Sequence, residues 1–398
     1  MTPWLRSNFI TLTVLIWTGL ITGIAVHAYF HPATHTVYDI YAPAARNWWA
    51  GRNLYIRGTD YFRYSPLVAI SFTPFALLPD QWGGLLWKVF NSAIFALGLS
   101  SWARHILPAN LSRTEEALLF LLVLPVALHS IYIGQANMLM LAAMLLGLAA
   151  AAQKRWNWAA GWLAWATLIK GYPLALALLL AWHYPKRFPA RYAVALAVGL
   201  ALPFAAQEPR VVAMQYSSWL SHLQDSASIM RERSRSIDYL LGTFGSPISP
   251  QVFTLMGVVT GALVFGWTML GPWRKASDRE KLKQMLTLFV TWLVLFAPAI
   301  EACTYAVMAP VIAWALLDSF RRRTGWAQYV ALLVSLVLVG PAATDAFGPV
   351  FRHFASEHAL QPVGALVFLG YLLSTTWQTW TRAPCAQFFL ERRRPISL

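Results

Sequence analysis

Long apolar runs, separated by short polar and basic segments, dominate this chain. The runs cover 9–29, 82–102, 117–131, 138–152, 158–168, 173–183, 192–205, 251–270, 285–300, 305–320, 327–343 and 363–380. A helix that crosses the hydrocarbon core of a bilayer needs about 20 predominantly apolar residues, and several of these runs are shorter. The pattern predicts an all-α integral membrane protein, a polytopic bundle of about 12 spans. We expect it to form a single domain over residues 1–398.

The two shortest runs, 158–168 and 173–183, have two interpretations. They form either one bent helix or a helical hairpin. Basic residues flank the pair on both sides, with Lys154 before it and Lys186 after it. Because such residues prefer the cytoplasmic side, the hairpin is favoured. Its turn, which contains Lys170, would then lie at or below the outer surface.

The distribution of Lys and Arg predicts the orientation of the chain. With 158–183 as a hairpin, the predicted cytoplasmic side holds about twice as many Lys and Arg residues as the outer side. Both termini are therefore expected in the cytoplasm, and 9–29 is expected to be a retained first span of a plasma-membrane protein. The two longest outer loops cover about 30–65 and 206–249.

Composition agrees with a membrane protein and excludes several other classes. Of the 398 residues, 58% are apolar and 12% are charged, whereas soluble domains are about 25% charged. The net charge of +15 is spread over short clusters, which argues against a nucleic-acid-binding patch. Two cysteines are too few for a disulfide framework. Metal-ligand clusters and nucleotide-binding motifs are absent from the sequence, so neither a metal nor a cofactor is expected.

The first outer loop carries an amphipathic pattern. Two apolar sets recur every four positions: Ile40, Ala44 and Trp48, and Tyr41, Ala45 and Trp49. This predicts a helix that ends at Gly51 and whose apolar face suits the lipid headgroup region. Asp39 stands at its start, where it is either an N-cap or a general base at the water–lipid boundary.

Three other polar residues stand out near the predicted outer surface. Arg63 lies among aromatic residues, where it either binds a phosphate or snorkels to the interface. Gln135 lies in the turn Gly134–Asn137. A tight turn needs Gly and Asn, so structure alone can account for this segment. The Gln135 amide, however, needs a hydrogen-bond partner at that depth. Lys170 is costly between two short apolar helices unless it reaches water or an anion.

Two further segments offer polar groups. Arg231, Arg233 and Arg235 alternate along the second outer loop, and they bind either a lipid phosphate or anionic headgroups in general. Glu301 is a lone carboxylate between two apolar runs. It is either the tip of a tight hairpin or a second polar group of a site.

Several of these residues occur in an order and spacing that resemble glycosyltransferase family 87, of the GT-C superfamily. The first section comprises Asp39, Ala44–Ala45, Gly51, Tyr55, Tyr64 and Pro66. The middle section comprises Gly134, Gln135, Asn137, Gly161, Lys170 and Pro173. The late section comprises Phe296, Ala297, Pro298, Glu301 and Tyr305, with Ala297 where the family has serine. The similarity spans about residues 38–310 and implies a GT-C-like fold.

The resemblance implies a specific reaction. Such enzymes transfer a sugar, typically mannose, from a polyprenyl-phosphate carrier to a lipid or glycan acceptor, outside the cytoplasm and with inversion. It places the general base at Asp39. Phosphate and lipid contacts are then expected from Lys170, Arg63, Gln135, Arg231, Arg233 and Arg235, with Glu301, Tyr305 and Tyr64 as possible further polar groups. The run Arg233–Ser236 departs from the Asn-x-Ser found in relatives, so contacts there are expected to differ.

Two other functions are compatible with the pattern. A transporter or flippase for a lipid-linked or anionic substrate would place charges near the bilayer midplane, but only Lys88 lies inside a predicted span. A scaffold without chemistry is the other alternative. The transferase is favoured over both.

Overall fold

The computed structural model describes residues 3–55, 62–269 and 276–391, and their side chains outside 3–7, 225–233 and 377–391. These residues form helices, turns and no strand. The α-helices are α1 (Pro3–Phe30), α2 (Tyr38–Trp49), α3 (Pro66–Ala76), α4 (Asp80–His105), α5 (Arg113–Ile133), α6 (Asn137–Ala152), α7 (Trp156–Ile169), α8 (Pro173–His183), α9 (Pro189–Ala201), α10 (Pro209–Arg233), α11 (Ile237–Thr243), α12 (Pro250–Trp267), α13 (Asp278–Phe296), α14 (Ala309–Arg322), α15 (Trp326–Val339), α16 (Pro349–Glu357) and α17 (Leu360–Glu391). Short 3₁₀ helices occupy Leu202–Ala205, Ala302–Met308, Pro341–Ala343 and Asp345–Phe347.

The apolar runs largely coincide with helices, but the predicted span count is not confirmed. Among the described residues, 6 helices are long and apolar enough to cross a membrane. The number rises to 7 if α16 and the first half of α17, bent by 67°, count as one span. The other apolar helices, including α6 and α8, have 10–17 residues. The runs predicted the positions of these helices, but not whether each one crosses.

Helix α6 lies at the centre of the bundle. Its residues 137–145 are all buried, and it packs against α4 and α7. Small residues allow this close approach: a Cβ atom added to Gly98 of α4 would lie 2.9 Å from the Cα of Ala142. A helix that is apolar on every side belongs in the core, so the start of α6 is a fixed point for the residues around it.

Helices α7 and α8 form a hairpin. The ring of Trp156, at the start of α7, lies 4.8 Å from that of Tyr184, just after α8. The two ends are therefore together, as the basic flanks predicted, and Lys170 lies in the turn between the helices.

The first-loop helix was predicted correctly, but its environment was not. Helix α2 ends before Gly51, whose φ of 66° favours glycine. Its apolar side packs on α3, and Tyr41 and Trp48 are 1% and 0% exposed. Protein therefore covers most of this face, while Trp49 remains 49% exposed.

The segment 206–249 is mainly helical, which corrects the predicted loop. Helix α10 within it binds the first loop through Gln215, whose amide donates to the Arg52 carbonyl at 2.8 Å and accepts from the Leu54 N–H at 3.1 Å. The Trp219 indole donates to the Arg63 carbonyl at 3.0 Å. These bonds fix the backbone on both sides of the loop.

Candidate active site

Several turns meet at one end of the bundle, beside α2, and we call this the α2 end. The Ser65 hydroxyl donates to the Leu168 carbonyl at 2.7 Å, which joins the first loop to the α7–α8 turn. The Tyr172 hydroxyl donates to the Pro298 carbonyl at 3.1 Å, which joins that turn to the segment after α13. Residues that are more than 100 positions apart in the sequence thereby form one surface.

Gln135 is the centre of a hydrogen-bond network with Tyr41, Tyr64 and Ala136, which we call the hub. Its side-chain oxygen accepts hydrogen bonds from the hydroxyls of Tyr41 at 2.8 Å and Tyr64 at 3.0 Å, and from the Ala136 N–H at 3.0 Å. The two tyrosine hydroxyls are also 2.9 Å apart. Gln135 is only 6% exposed. It therefore joins α2 to the first loop, and its oxygen has no capacity left for a substrate.

The turn that carries Gln135 needs its glycine. Gly134 has a φ of 70°, and a Cβ atom there would lie 3.1 Å from the indole nitrogen of Trp87. That indole donates to the Gly134 carbonyl at 2.7 Å, and the Asn91 amide donates to the Gln135 carbonyl at 3.0 Å. The turn is thus held rigidly against α4, as the structural interpretation of the glycine predicted.

Cys303 connects the hub to a carboxylate. The side-chain amides of Gln135 and Asn137 both donate to its sulfur at 3.5 Å. Its S–H donates to Glu301 at 3.6 Å. Sequence analysis gave Cys303 no role, because a single cysteine in an apolar run resembles an ordinary core residue.

Glu301 belongs to this polar cluster. Its carboxylate lies 3.6 Å from the Arg63 guanidinium, with side-chain exposures of 30% and 23%. The turn interpretation of Glu301 is confirmed, because Ala299, two residues before it, has a φ of 61°; its role in a site stays a prediction. The pair is long and partly buried, and it places the Arg63 guanidinium beside the carboxylate of this cluster.

Lys170 forms no ion pair or side-chain hydrogen bond with a described residue. Its ammonium lies 6.0 Å from the centre of the Tyr64 ring. It is partly exposed, and its backbone is extended as α7 ends. Lys170 lies near Tyr64 and Arg63 lies near Glu301, so these described residues together hold two cations and one carboxylate.

Asp39 lies on the exposed side of α2. Val37 is the N-cap and Asp39 is the second helical residue, so the N-cap interpretation is wrong in position. Burial raises the pKa of the Asp39 carboxyl group above 3.8, while hydrogen bonds from the N–H groups of Asp39 and Ile40 oppose this rise. Tyr41 turns to the hub instead, because residues two apart on a helix point in nearly opposite directions.

The remaining predicted residues lie outside the cluster around Lys170. The Arg235 N–H donates to the Ile300 carbonyl at 2.6 Å, but its guanidinium bonds to Ser356 at 3.1 Å. The buried Tyr305 hydroxyl donates to the Arg235 carbonyl at 2.6 Å. Arg231 and Arg233 belong to α10, and their side chains lie outside the described part of the structure.

Comparison with known proteins supports a family assignment. No curated protein matches the chain. The family model for glycosyltransferase family 87 matches residues 62–298, which is more than half of the 398 residues. The match includes Arg63, Gln135 and Lys170, whereas Asp39 precedes it and Glu301 follows it. The chain therefore belongs to glycosyltransferase family 87.

Proposed function

We propose that this membrane glycosyltransferase moves a hexose, mannose by the resemblance, from a polyprenyl-phosphate donor to a lipid or glycan acceptor at the α2 end. We expect that end to face away from the cytoplasm of a plasma-membrane protein with both termini inside. The observation that carries the proposal is Lys170, a partly exposed cation that has no ion pair with a described residue and lies 6.0 Å from the centre of the Tyr64 ring.

The donor phosphate needs cations more than it needs a general acid. Departing phosphate is a good leaving group, and positive charge stabilises the negative charge that develops on it. Lys170 and Arg63 supply that charge. The Lys170 ammonium lies 6.0 Å from the centre of the Tyr64 ring. A phosphate bound here requires no metal or other cofactor for the step proposed.

The acceptor hydroxyl needs a base, and by the family resemblance we assign this role to Asp39, whose carboxylate lies on the exposed side of α2, away from Gln135. The hydroxyl oxygen attacks the anomeric carbon, the bond from that carbon to the phosphate oxygen breaks, and the proton passes to the Asp39 carboxylate. Polyprenyl phosphate leaves toward Lys170 and Arg63. Attack on the face opposite the leaving group inverts the anomeric configuration.

Gln135 takes a positioning role in this proposal. Its oxygen is occupied by Tyr41 and Tyr64, so it cannot also bind phosphate there. Because Tyr41 is part of α2, the hub holds the helix that carries Asp39 in place relative to Tyr64 and the Lys170 turn.

A transfer assay with the purified protein tests the function. The protein is incubated with a radiolabelled polyprenyl-phosphate sugar and membrane-lipid acceptors, and labelled product is separated from donor. Lys170→Met is expected to lower transfer at least tenfold through weaker donor binding, because it removes one charge-assisted contact of about 1.5–3 kcal/mol. The matched control is Lys186→Met, an exposed lysine at the opposite end of the same hairpin.

Three results contradict the proposal in different ways. Donor that crosses vesicle membranes without sugar transfer would indicate a transporter. Lys170→Met with normal donor affinity would remove Lys170 from the site. An equal loss in both lysine variants would show a general effect of lost charge.

A further inference from the structure

A large cavity lies at the end of the bundle opposite the α2 end, which is the end predicted to be cytoplasmic. It has a volume of about 810 Å³ and is lined mainly by residues of α13, α14, α15 and α17. Its α13 residues lie within 280–288, whereas α13 ends beside the turn that holds Glu301. Along α14 the lining runs from Val311 to Arg322, a rise of about 16 Å at 1.5 Å per residue. The cavity therefore extends from the middle of the bundle to its surface.

The lining changes from apolar to charged along this axis. The deep part includes Leu288, Val311, Ala315 and Phe368. The part near the surface includes Glu280, Lys283, Asp318, Arg322 and Arg323. A bilayer lipid has the same gradient, since its acyl chains lie in the hydrocarbon core and its charged headgroup lies at the surface.

The charged part holds both signs in close contact. The Lys283 ammonium lies 2.7 Å from the Glu280 carboxylate, and the Arg322 guanidinium lies 2.8 Å from the Asp318 carboxylate. Arg322 also interacts electrostatically with Glu280, which joins the two pairs into one network. A purely anionic headgroup would meet both carboxylates, and a purely cationic one would meet the basic residues. The network therefore suits a ligand that carries both charges.

The paired residues keep hydrogen-bonding capacity for such a ligand. Arg322 contacts Asp318 through its Nε atom, and the Arg322 side chain is 67% exposed. Of the five N–H donors of a guanidinium, those on its terminal nitrogens have no described partner. An ionised carboxylate has about four acceptor positions, so Asp318 can accept from a ligand as well. Arg323 adds a cation that forms no ion pair with a described residue.

We propose that this cavity binds a glycerophospholipid whose headgroup is zwitterionic and carries a primary ammonium, as phosphoethanolamine does. The phosphate accepts hydrogen bonds from Arg322 and Arg323. The ammonium has three N–H donors and donates to Asp318 and Glu280, while an acyl chain occupies the apolar part. This site does not depend on the proposed function, since none of these residues lies at the α2 end.

Binding to the purified full-length protein tests this assignment with short-chain probes. Dihexanoyl-phosphatidylethanolamine carries both charges, and dihexanoyl-phosphatidylglycerol carries the phosphate alone. Dihexanoyl-phosphatidylcholine has a quaternary ammonium without N–H donors, and glycerophosphoethanolamine lacks the acyl chains. Asp318→Asn removes a carboxylate of the network, and Ala315→Phe fills the apolar part. Asp345→Asn is the matched control, since Asp345 pairs with Arg352 at the same 2.8 Å outside this cavity.

The expected result is saturable binding of dihexanoyl-phosphatidylethanolamine, with each of the other three probes bound at least tenfold more weakly. Asp318→Asn should weaken the binding of phosphatidylethanolamine at least tenfold, or about 1.4 kcal/mol, without weakening that of phosphatidylglycerol. Ala315→Phe should also weaken it at least tenfold, and Asp345→Asn should leave it unchanged. Thermal unfolding without lipid checks that each variant is folded.

Three outcomes overturn the inference. Phosphatidylglycerol or phosphatidylcholine that binds as tightly as phosphatidylethanolamine would show that the ammonium is not recognised. Normal binding by Asp318→Asn would place the lipid elsewhere. Equal losses in Asp318→Asn and Asp345→Asn would show a general effect of lost charge. If Ala315→Phe does not fold, the comparison of the two aspartate variants still decides.

Discussion

Replacing Asp39 with asparagine separates its structural role from its proposed role as the base. The Asp39 carboxylate forms no ion pair with a described residue, and its hydrogen bonds come from the N–H groups of Asp39 and Ile40. An amide oxygen accepts the same bonds. The free energy of unfolding should therefore change by no more than about 0.5 kcal/mol, as for other exposed positions.

The sign of that small change follows from the pKa. Burial raises the pKa of Asp39 in the fold above 3.8, so folding disfavours the charged carboxylate. Stability linked to this group is present at low pH and is lost as the pH rises through the folded-state pKa. At neutral pH, Asp39→Asn should consequently be as stable as the wild type or slightly more stable.

Activity should respond quite differently. A positioned general base contributes about 10²–10⁴-fold to a rate, which is roughly 2.7–5.4 kcal/mol in activation free energy. Asp39→Asn should lose transfer by that factor while donor binding stays close to normal. Wild-type turnover should also fall as the pH drops through the raised pKa, because protonated Asp39 cannot accept a proton.

The assay is turnover of labelled donor by the purified protein over a range of pH, with thermal unfolding measured in parallel. Glu301→Gln is the comparison variant. It neutralises the carboxylate that pairs with Arg63 at 3.6 Å, so it should change donor affinity. The fall in turnover at low pH should remain, because Asp39 is still present. A general base is expected to contribute at least about 10²-fold to the rate. Turnover of Asp39→Asn within about threefold of wild type would therefore refute the assignment.

Three further predictions concern packing and topology. Tyr41→Phe should lower the free energy of unfolding by about 1–3 kcal/mol, because it removes a buried hydroxyl from the hub; an unchanged denaturation midpoint would contradict this. Gly98→Ala should destabilise the protein by roughly 1–3 kcal/mol through overpacking against α6, whereas Gly161→Ala, with nothing within 4 Å of its added Cβ, should not. Cysteines placed at Gly51 and Ser277 should be labelled by an impermeant reagent from outside and inside respectively, and labelling of both from one side would refute the predicted topology.

The helices could be located from the sequence because apolar runs are long and their ends are basic or rich in Pro and Gly. Whether each helix crosses the bilayer could not be predicted from the sequence. Helices α6, α7 and α8 are apolar but short, and a run's composition does not reveal whether protein or lipid surrounds it. The same limit explains α2, whose apolar side was expected to face headgroups but packs on α3.

The site was predictable where residue chemistry is unusual for its place. Arg63, Gln135, Lys170 and Glu301 were recognised because a charge or amide between apolar runs needs a reason. Tyr41 and Cys303 were not assigned to a site, because such residues occur commonly in cores. Their role depends on contacts across more than 90 residues, which only the folded chain reveals.

Arg235 shows how sequence proximity misleads. It alternates with Arg231 and Arg233 and was therefore expected to share their function. The Arg235 N–H donates to the Ile300 carbonyl, and its guanidinium donates to the Ser356 hydroxyl. Neighbours in the sequence therefore need not share a function in the fold.

The length of the hairpin gives Lys170 its significance. Helices α7 and α8 have 14 and 11 residues, so at 1.5 Å per residue they reach about 21 Å and about 17 Å. A hydrocarbon core is about 30 Å thick. If Trp156 and His183, at the two ends of the hairpin, lie at the cytoplasmic surface as predicted, the tip stops short of the outer surface, and the Lys170 ammonium lies below headgroup level. An ammonium there is costly without an anion or water. On the proposed function this depth suits the donor, because a polyprenyl chain would hold its phosphate close to the lipid boundary.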